Sequence, residues 1–303
     1  MLAPQVERYL SLRRNLGYKL RNTARNLRAY ARLADERGDS HIRASSAVAF
    51  AETAPSPYAR NIRMSQVAKL ARFLHAEDAA HEVPSLDLFR HHYVRPLPYI
   101  YTPEEISRII AASACLSRSY PLRRQVYATL LGLIAATGLR ISEALNLRLD
   151  DVLADGVLRI CRTKFGKSRL VPMHPSVTHA LEYYLKIRRR IVTIDDYVFI
   201  SAEGERIPYR TASCTFRRLT KKAKIAPERL RAPRIHDLRH TFATRALEKC
   251  PSDRHAVSRH FVALSTYLGH IDIKQTYWYL EATPDLMTHI SAAAEIFMSG
   301  GVQ

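Results

Sequence analysis

At 303 residues, 47% of them apolar, the chain is long enough for two domains with separate cores and too hydrophobic to be disordered. Its 47 Lys and Arg against 28 Asp and Glu give a net charge of +19 and a pI near 10.1. That balance excludes an acidic solvating protein and points to a polyanion partner, nucleic acid before an anionic membrane surface.

The excess is spread along the chain: 16 basic and 9 acidic residues up to Arg95, and 31 and 19 beyond it. Both halves can therefore face a phosphate backbone, as a protein that encircles a duplex needs. Cys115, Cys161, Cys214 and Cys250 lie far apart, without CxxC or Cys/His ligand spacing. Free, mostly buried thiols are expected. No signal-peptide core and no run near the ~20 apolar residues of a membrane span is visible, so a soluble cytoplasmic protein is expected.

Residues 3 to about 92 read as helices. Val6, Leu10, Leu12 and Leu16 form a first apolar stripe ended by Gly17, and Leu20, Leu27, Tyr30, Leu33 and Ala34 a second ended by Gly38. A short segment, 44–52, precedes the breaker Ala54-Pro55-Ser56-Pro57, and Ile62, Val67, Leu70, Phe73 and Leu74 mark a longer helix. Arg13, Arg14, Lys19, Arg21, Arg25, Arg28 and Arg32 crowd the first two helices; solvated surface and a DNA-facing surface both fit such charges. His91 to Pro98 reads as an extended linker. Its paired histidines point in different directions and have no third ligand nearby, so no metal is expected. The domains are thus drawn as 1–93, a linker at 94–100, and 101–303.

Thr102-Pro103-Glu104-Glu105 opens the next helix with a cap, a first-turn proline and acids against the dipole. Gln125 to Ala136 is an apolar helix stopped at Thr137-Gly138, with Arg140 immediately after it and a short helix over 141–147. Strand signals are confined to 151–172. Asp151-Val152-Leu153 and Val157 to Arg162 flank the turn Ala154-Asp155-Gly156, and Thr163-Lys164-Phe165-Gly166-Lys167 leads into Arg169-Leu170-Val171-Pro172. This predicts a small three-stranded antiparallel sheet with Lys164 near a turn tip. Helices resume over 176–190, 210–223, 236–248, 256–268 and 285–298, and 271–280 reads as a possible short one. The fold class is mainly α, with that one small sheet.

His236, Arg239 and His240 stand at i, i+3 and i+4 and share a helix face. A Gly269-His270 turn and the triplet Tyr277-Trp278-Tyr279 follow. This set is rich in Arg, His and Tyr and poor in carboxylates, so it suits an anionic substrate better than a metal. Attack on a phosphodiester requires charge growing on the non-bridging oxygens to be neutralised, for which Arg140 and Arg239 are candidates. A tyrosine hydroxyl can form a covalent phosphoryl ester once cations and a His acceptor lower its pKa. A lysine on a turn can protonate the departing sugar oxygen. No metal, nucleotide or other cofactor is called for, and no Walker-type glycine loop is present.

The segment Ala136-Thr137-Gly138-Leu139-Arg140-Ile141-Ser142-Glu143-Ala144-Leu145, a hairpin Lys164, His236-Asp237-Leu238-Arg239-His240, Leu268-Gly269-His270 and Tyr279 nine residues later resembles the tyrosine recombinase/integrase family, its Xer-like and transposon-borne members most. The motifs cover about residues 101–290. The first domain matches only as a basic helical unit of the size of the family's core-binding domain.

The resemblance implies Arg140 and Arg239 as the phosphate-binding arginines, Lys164 as general acid (Lys167 in another register) and His236 as proton acceptor. It implies His270 as phosphate donor and Tyr279 as nucleophile, with Tyr277 and Trp278 packing residues and His240 a buttress. It further implies double-stranded DNA as partner and a homotetramer on two sites, or assembly with sister recombinases. The C-terminal apolar helix docks on its own domain or on a neighbouring protomer. A mobile-element integrase is favoured. The alternatives are a type IB topoisomerase-like nicking-closing enzyme and a DNA-binding protein with an inactive catalytic domain. One departure is the long stretch between Glu248 and Leu268.

Overall fold

The computed structural model describes residues 1–89, 97–116, 121–161, 168–191, 193, 195–226, 232–249, 254–270, 272, 274–277 and 279; of Pro121, Arg254, His255, Lys274 and Tyr277 only the backbone is described. The chain divides into two compact units, Met1–Pro96 and Leu97–Gln303.

Among its described residues the first unit has four α-helices, α1 (Ala3–Asn15), α2 (Arg21–Glu36), α3 (Ala44–Glu52) and α4 (Pro57–His75), and a 3-10 turn at Asp87–Phe89. Each is bounded by local chemistry. Gly17 at φ +87° closes α1, Gly38 at φ +75° follows α2, and the Ser56 hydroxyl accepts the Ala59 N–H at 3.2 Å to cap α4. The core joins Leu10, Leu27, Tyr30, Met64, Val67 and Leu70, with Tyr30 edge-on to Phe50 at 5.7 Å.

The first apolar stripe differs from its sequence reading. Leu2, Val6, Tyr9 and Leu10 are buried, whereas Leu12 and Leu16 are 45% and 63% exposed. The helix ends at Asn15, so Leu16 sits on its terminus, and the packed face is the one that meets α2 and α4. Of the predicted basic face, Arg14, Lys19, Arg21, Arg25 and Arg32 are exposed, while Arg28 forks onto Glu7 at 2.6 and 2.9 Å.

The second unit comprises α5 (Pro103–Ala112), α6 (Pro121–Thr137), α7 (Ile141–Leu145), β1 (Val152–Leu153), β2 (Val157–Ile160), β3 (Arg169–Pro172), α8 (Pro175–Arg188), α9 (Tyr209–Lys222), α10 (Ile235–Glu248), α11 (Arg254–Leu268) and α12 (Lys274–Tyr277). The expected sheet is present, antiparallel in order β1-β2-β3, with Leu158 opposite Val152 and Val171. Its first turn uses Asp155 and Gly156, both at positive φ. The core is built on the apolar α6 (Leu130, Leu131, Ile134), with Phe199 and Phe216 packed into it.

Tyr101 rivets the start of this unit to α10. Its N–H donates to Thr241 Oγ1 at 3.0 Å, its hydroxyl donates to the Arg234 carbonyl at 3.2 Å, and its carbonyl accepts from Arg245 at 2.5 Å. Burial pushes the Tyr101 phenol well up, so it stays a neutral donor. Cys115, Cys161 and Cys214 are exposed, not buried as expected. The helix expected at 285–298, Cys250, and His91 and His92 lie outside the described residues. No helix among the described residues is long and apolar enough to cross a membrane.

Candidate active site

The site is built where α10, the Gly138 turn and the C-terminus of α11 meet. Helix α11 ends in a Schellman motif: Gly269 N–H donates to Thr266 O and His270 N–H to Ser265 O, each at 3.0 Å, with Gly269 at φ +67°. The Gly-His pair therefore stops a helix and turns His270 off its end. The remaining terminal carbonyls, which the helix itself cannot satisfy, accept from arginines. Arg169 Nε donates to Tyr267 O at 2.8 Å, Arg239 Nη2 to Leu268 O at 2.8 Å, and Arg140 Nη2 to Gly269 O at 3.1 Å.

Arg140 follows the left-handed Gly138 turn and precedes α7, with its side chain 27% exposed. Its Nη1 donates to Glu143 Oε1 at 2.8 Å and its backbone N–H to Glu143 Oε2 at 3.0 Å. Arg239, 1% exposed, projects from α10 to donate to Gly138 O at 2.7 Å and to His270 Nε2 at 3.0 Å. Burial, and then the Arg140 charge, lower its pKa to about 10, so it is a cation at neutral pH. A Cβ on Gly138 would lie 2.5 Å from Phe242 Cδ1, so this position requires glycine both for its φ of +62° and for its close packing on α10.

Asp237 serves the helix: its carboxylate accepts the Arg234 N–H at 2.7 Å and Arg234 Nη2 at 2.9 Å at the start of α10. That cap closes the first turn of α10, the helix that carries His236, Arg239 and His240. His236 and His240 meet edge-on at 4.6 Å. Burial first, and the Arg239 charge next, push His236 down to about 4, so it is a neutral imidazole at physiological pH. His240 then lies 5.4 Å from the Tyr279 ring, tilted to it, and the His270 ring lies nearly parallel to it at 6.0 Å.

Tyr279 is 3% exposed, and its N–H donates to Thr276 O at 3.0 Å. Thr276, wholly buried, faces His270 Nδ1 through its hydroxyl at 2.8 Å. Because a guanidinium can only donate, the neutral His270 ring accepts at Nε2 and carries its proton on Nδ1, toward Thr276. Donation to a phosphate from Nε2 requires Arg239 to leave that nitrogen and the ring proton to move onto it, Nδ1 then accepting from the Thr276 hydroxyl. Tyr267 is turned away: it stacks on Phe242 at 5.6 Å and donates to Pro172 O at 3.2 Å, and burial raises it to about 12.

Of the six expected site residues, five are thus assembled: Arg140, His236, Arg239, His270 and Tyr279. Lys164 and its alternative Lys167 lie outside the described residues, as does Trp278. Three participants were not assigned a role from the sequence. Glu143 and Arg169 make an ion pair at 2.9 Å across 26 residues, and Thr276 has only its hydroxyl to mark it. Burial would raise Glu143, but Arg169 and then Arg140 hold it at about 2. With one carboxylate among Arg140, Arg169 and Arg239, the cluster keeps an excess of positive charge suited to an anion.

Among the described residues one set could hold a metal by proximity: His41, Asp78 and His81 in the first unit, with ligating atoms within 4.8 Å. Their atoms are already committed. His81 Nδ1 accepts the Ile42 N–H at 3.0 Å, which leaves its proton on Nε2, and His41 Nε2 meets Asp78 at 3.0 Å. The set reads as a hydrogen-bonded loop anchor.

A helical unit that gathers two arginines, histidines and a buried tyrosine around a helix terminus defines a tyrosine-type DNA recombinase. The chain belongs to the phage integrase family, whose model matches residues 100–285. The protein y4rB of Sinorhizobium fredii, described as an integrase or recombinase, is 37% identical over 93% of each chain. Tyrosine recombinase XerD of Caulobacter vibrioides is 32% identical over 78% of this chain and 74% of its own. In fold, the chain resembles the Tn1549 transposon integrase, solved with transposon right-end DNA, at a TM-score of 0.69 and 20% identity over 97% and 98% of the chains. A lambda integrase tetramer bound to a Holliday junction gives 0.62 and 20% over 89% and 77%.

Proposed function

We propose that this recombinase cuts and rejoins DNA at a specific site through a 3′-phosphotyrosyl link on Tyr279, in the service of a mobile element. The observation that carries this reading is the convergence of Arg140 and Arg239 on Leu268 O, with the Tyr279 ring within 5.4 and 6.0 Å of the His240 and His270 rings. In the proposed step, Tyr279 Oη bonds to the scissile phosphorus as the bond from phosphorus to O5′ breaks. The phenolic proton passes to His236, a neutral acceptor, and Lys164 supplies the proton to the leaving O5′. Arg140 and Arg239 neutralise the non-bridging oxygens. His270 orders Arg239 through Nε2, and donates to the phosphate from that nitrogen once Arg239 turns to the phosphate and the ring proton moves to Nε2. A free 5′-hydroxyl of a second strand then reverses the step, restoring the phosphodiester and Tyr279, so bond energy is conserved without a nucleotide.

The DNA-bound and tetrameric assemblies of the structural relatives support duplex DNA as partner and a homotetramer, or a set of sister recombinases, as the working form. The exposed Arg14, Lys19, Arg21, Arg25 and Arg32 support the first unit as a core-binding domain gripping phosphates, and a cytoplasmic location follows from such a substrate. Likeness to a transposon integrase favours mobile-element work over chromosome dimer resolution. The test is covalent trapping on a nicked suicide substrate bearing the element's end sequence. A detergent-stable adduct formed by native protein and by Tyr277→Phe, and absent with Tyr279→Phe, is expected. An adduct that survives Tyr279→Phe would sink the assignment.

A further inference from the structure

Arg169 has no place in the reaction as proposed above, yet it is the more deeply buried partner of Glu143. Its side chain is 10% exposed, against 27% for Arg140. Its guanidinium lies fork to fork on the carboxylate, Nη1 to Oε1 at 3.1 Å and Nη2 to Oε2 at 2.9 Å, while Nε holds Tyr267 O at 2.8 Å. All three nitrogens are engaged by rigid partners. The space is made by Gly269, where a Cβ would stand 2.8 Å from Arg169 Nη1.

A carboxylate offers about four acceptor directions. In Glu143 they are shared equally. Arg140 takes one on each oxygen, by Nη1 at 2.8 Å and by its backbone N–H at 3.0 Å, and Arg169 takes the other two. Arg140 therefore meets Glu143 end-on through a single guanidinium nitrogen. Its Nη1 also reaches Leu268 O and its Nη2 Gly269 O, and its Nε has no protein partner among the described residues. Were Arg169 absent, the side-on fork on a buried carboxylate would be open, and Arg140 is the guanidinium adjacent to fill it. In that arrangement the Arg140 charge is spent on Glu143 and its donors face the protein interior.

We propose that Arg169 is a positioning residue for strand cleavage: by occupying Glu143 side-on, it holds Arg140 end-on, with Nε and the unused N–H directions of that guanidinium open to the scissile phosphate. This rests on the strand-cleavage reading given above and extends it to a residue that touches no reacting atom. The depressed pKa of Glu143 agrees, since Arg169 is the foremost group holding the carboxylate ionised against burial. Lysine substitutes only in part, because an ammonium is a point charge without the planar fork.

The experiment compares single-turnover cleavage of two suicide substrates. One has an ordinary scissile phosphodiester and the other a methylphosphonate there, which has one non-bridging oxygen and no charge. Native protein, Arg169→Met, Arg169→Lys, Glu143→Gln, and Arg169→Met with Glu143→Gln are assayed. Arg169→Met is expected to cut the phosphodiester about 100-fold more slowly, the scale of a misplaced catalytic contact. On the methylphosphonate the deficit shrinks at least tenfold, because a neutral phosphoryl group no longer calls for the Arg140 charge. Arg169→Lys falls between, and adding Glu143→Gln restores part of the phosphodiester rate by removing the competing carboxylate.

Both rates are read in one preparation, so an unfolded fraction cancels from their ratio. A ratio in Arg169→Met equal to that of native protein, however low the rates, makes Arg169 a purely structural residue and overturns the proposal. So does a double variant whose loss is the product of the two single losses. Native protein that forms no adduct on the phosphodiester overturns the cleavage reading itself, a separate outcome.

Discussion

Arg140 and Arg239 donate to the same carbonyl oxygen, that of Leu268, at 3.4 and 2.8 Å, although the two residues are 99 positions apart in the chain. Two cations share one acceptor because Leu268 is the last residue of α11, where the carbonyls lack helical partners and the dipole is negative. The pair is thereby held at a fixed spacing before any phosphate arrives. Replacing either with lysine keeps the charge and loses the fork. For Arg140→Lys and for Arg239→Lys, cleavage is expected to fall about 10²–10³-fold, the scale of losing one oxyanion donor. Gel-shift affinity for the site should change far less. Single-turnover adduct formation checks this, and near-native rates for both variants would contradict the arrangement.

Thr276 joins His270 to the tyrosine segment, its hydroxyl facing Nδ1 at 2.8 Å and its carbonyl accepting Tyr279 N–H at 3.0 Å. Thr276→Val keeps the shape and removes the acceptor that the part-buried His270 Nδ1–H meets. The expected result is cleavage lowered about tenfold or more, recovery in Thr276→Ser, and a changed tautomer population for His270 by nitrogen-15 NMR. Equal activity in Thr276→Val would show that the hydroxyl does not orient the ring.

His236 titrates in the folded protein near 4 against an ordinary 6.5. Between those values the unfolded chain binds the proton and the folded chain does not, so this residue makes stability fall as pH drops from about 6.5 toward 4. Thermal melts at pH 7 and pH 5 should therefore show a smaller acid loss for His236→Gln than for native protein. A cleavage rate that lost activity between pH 8 and 6 through His236 protonation would contradict its neutral state. Glu143, held at about 2, has the opposite origin and the same direction: its contribution is present above about 4.5 and is lost as pH falls toward 2.

Gly138 supports Arg239 through its carbonyl at 2.7 Å. Gly138→Ala places a Cβ within 2.5 Å of Phe242 at a left-handed φ, so either the turn or α10 shifts. A loss of about 1–3 kcal/mol is expected from overpacking, with a fall in cleavage larger than the lowered Tm accounts for. Adding Phe242→Leu should return part of the stability, since the clash is with the ring. A double variant no more stable than Gly138→Ala would place the strain in the backbone alone.

Much of the site was legible because it is local. The i, i+3, i+4 spacing of His236, Arg239 and His240, the Gly269-His270 helix stop and the Gly138 turn each depend on backbone geometry within a few residues. The three-stranded sheet was legible for the same reason, from turn chemistry at Asp155-Gly156. The face of α1 was not. Leu12 and Leu16 fit a helical stripe, yet burial depends on where α2 and α4 lie.

The sequence by itself determined the helical class, the excess of cations over carboxylates, and which residue types could bind and attack a phosphodiester. These follow from composition, periodicity and short-range stereochemistry. Only the tertiary structure decided that Glu143 is shared between Arg140 and Arg169, that His270 accepts from Arg239, and that Thr276 holds its other nitrogen. Side-chain hydrogen bonds are made across distances of about 3 Å, and chain segments 26 or 31 residues apart reach that distance only when whole elements pack.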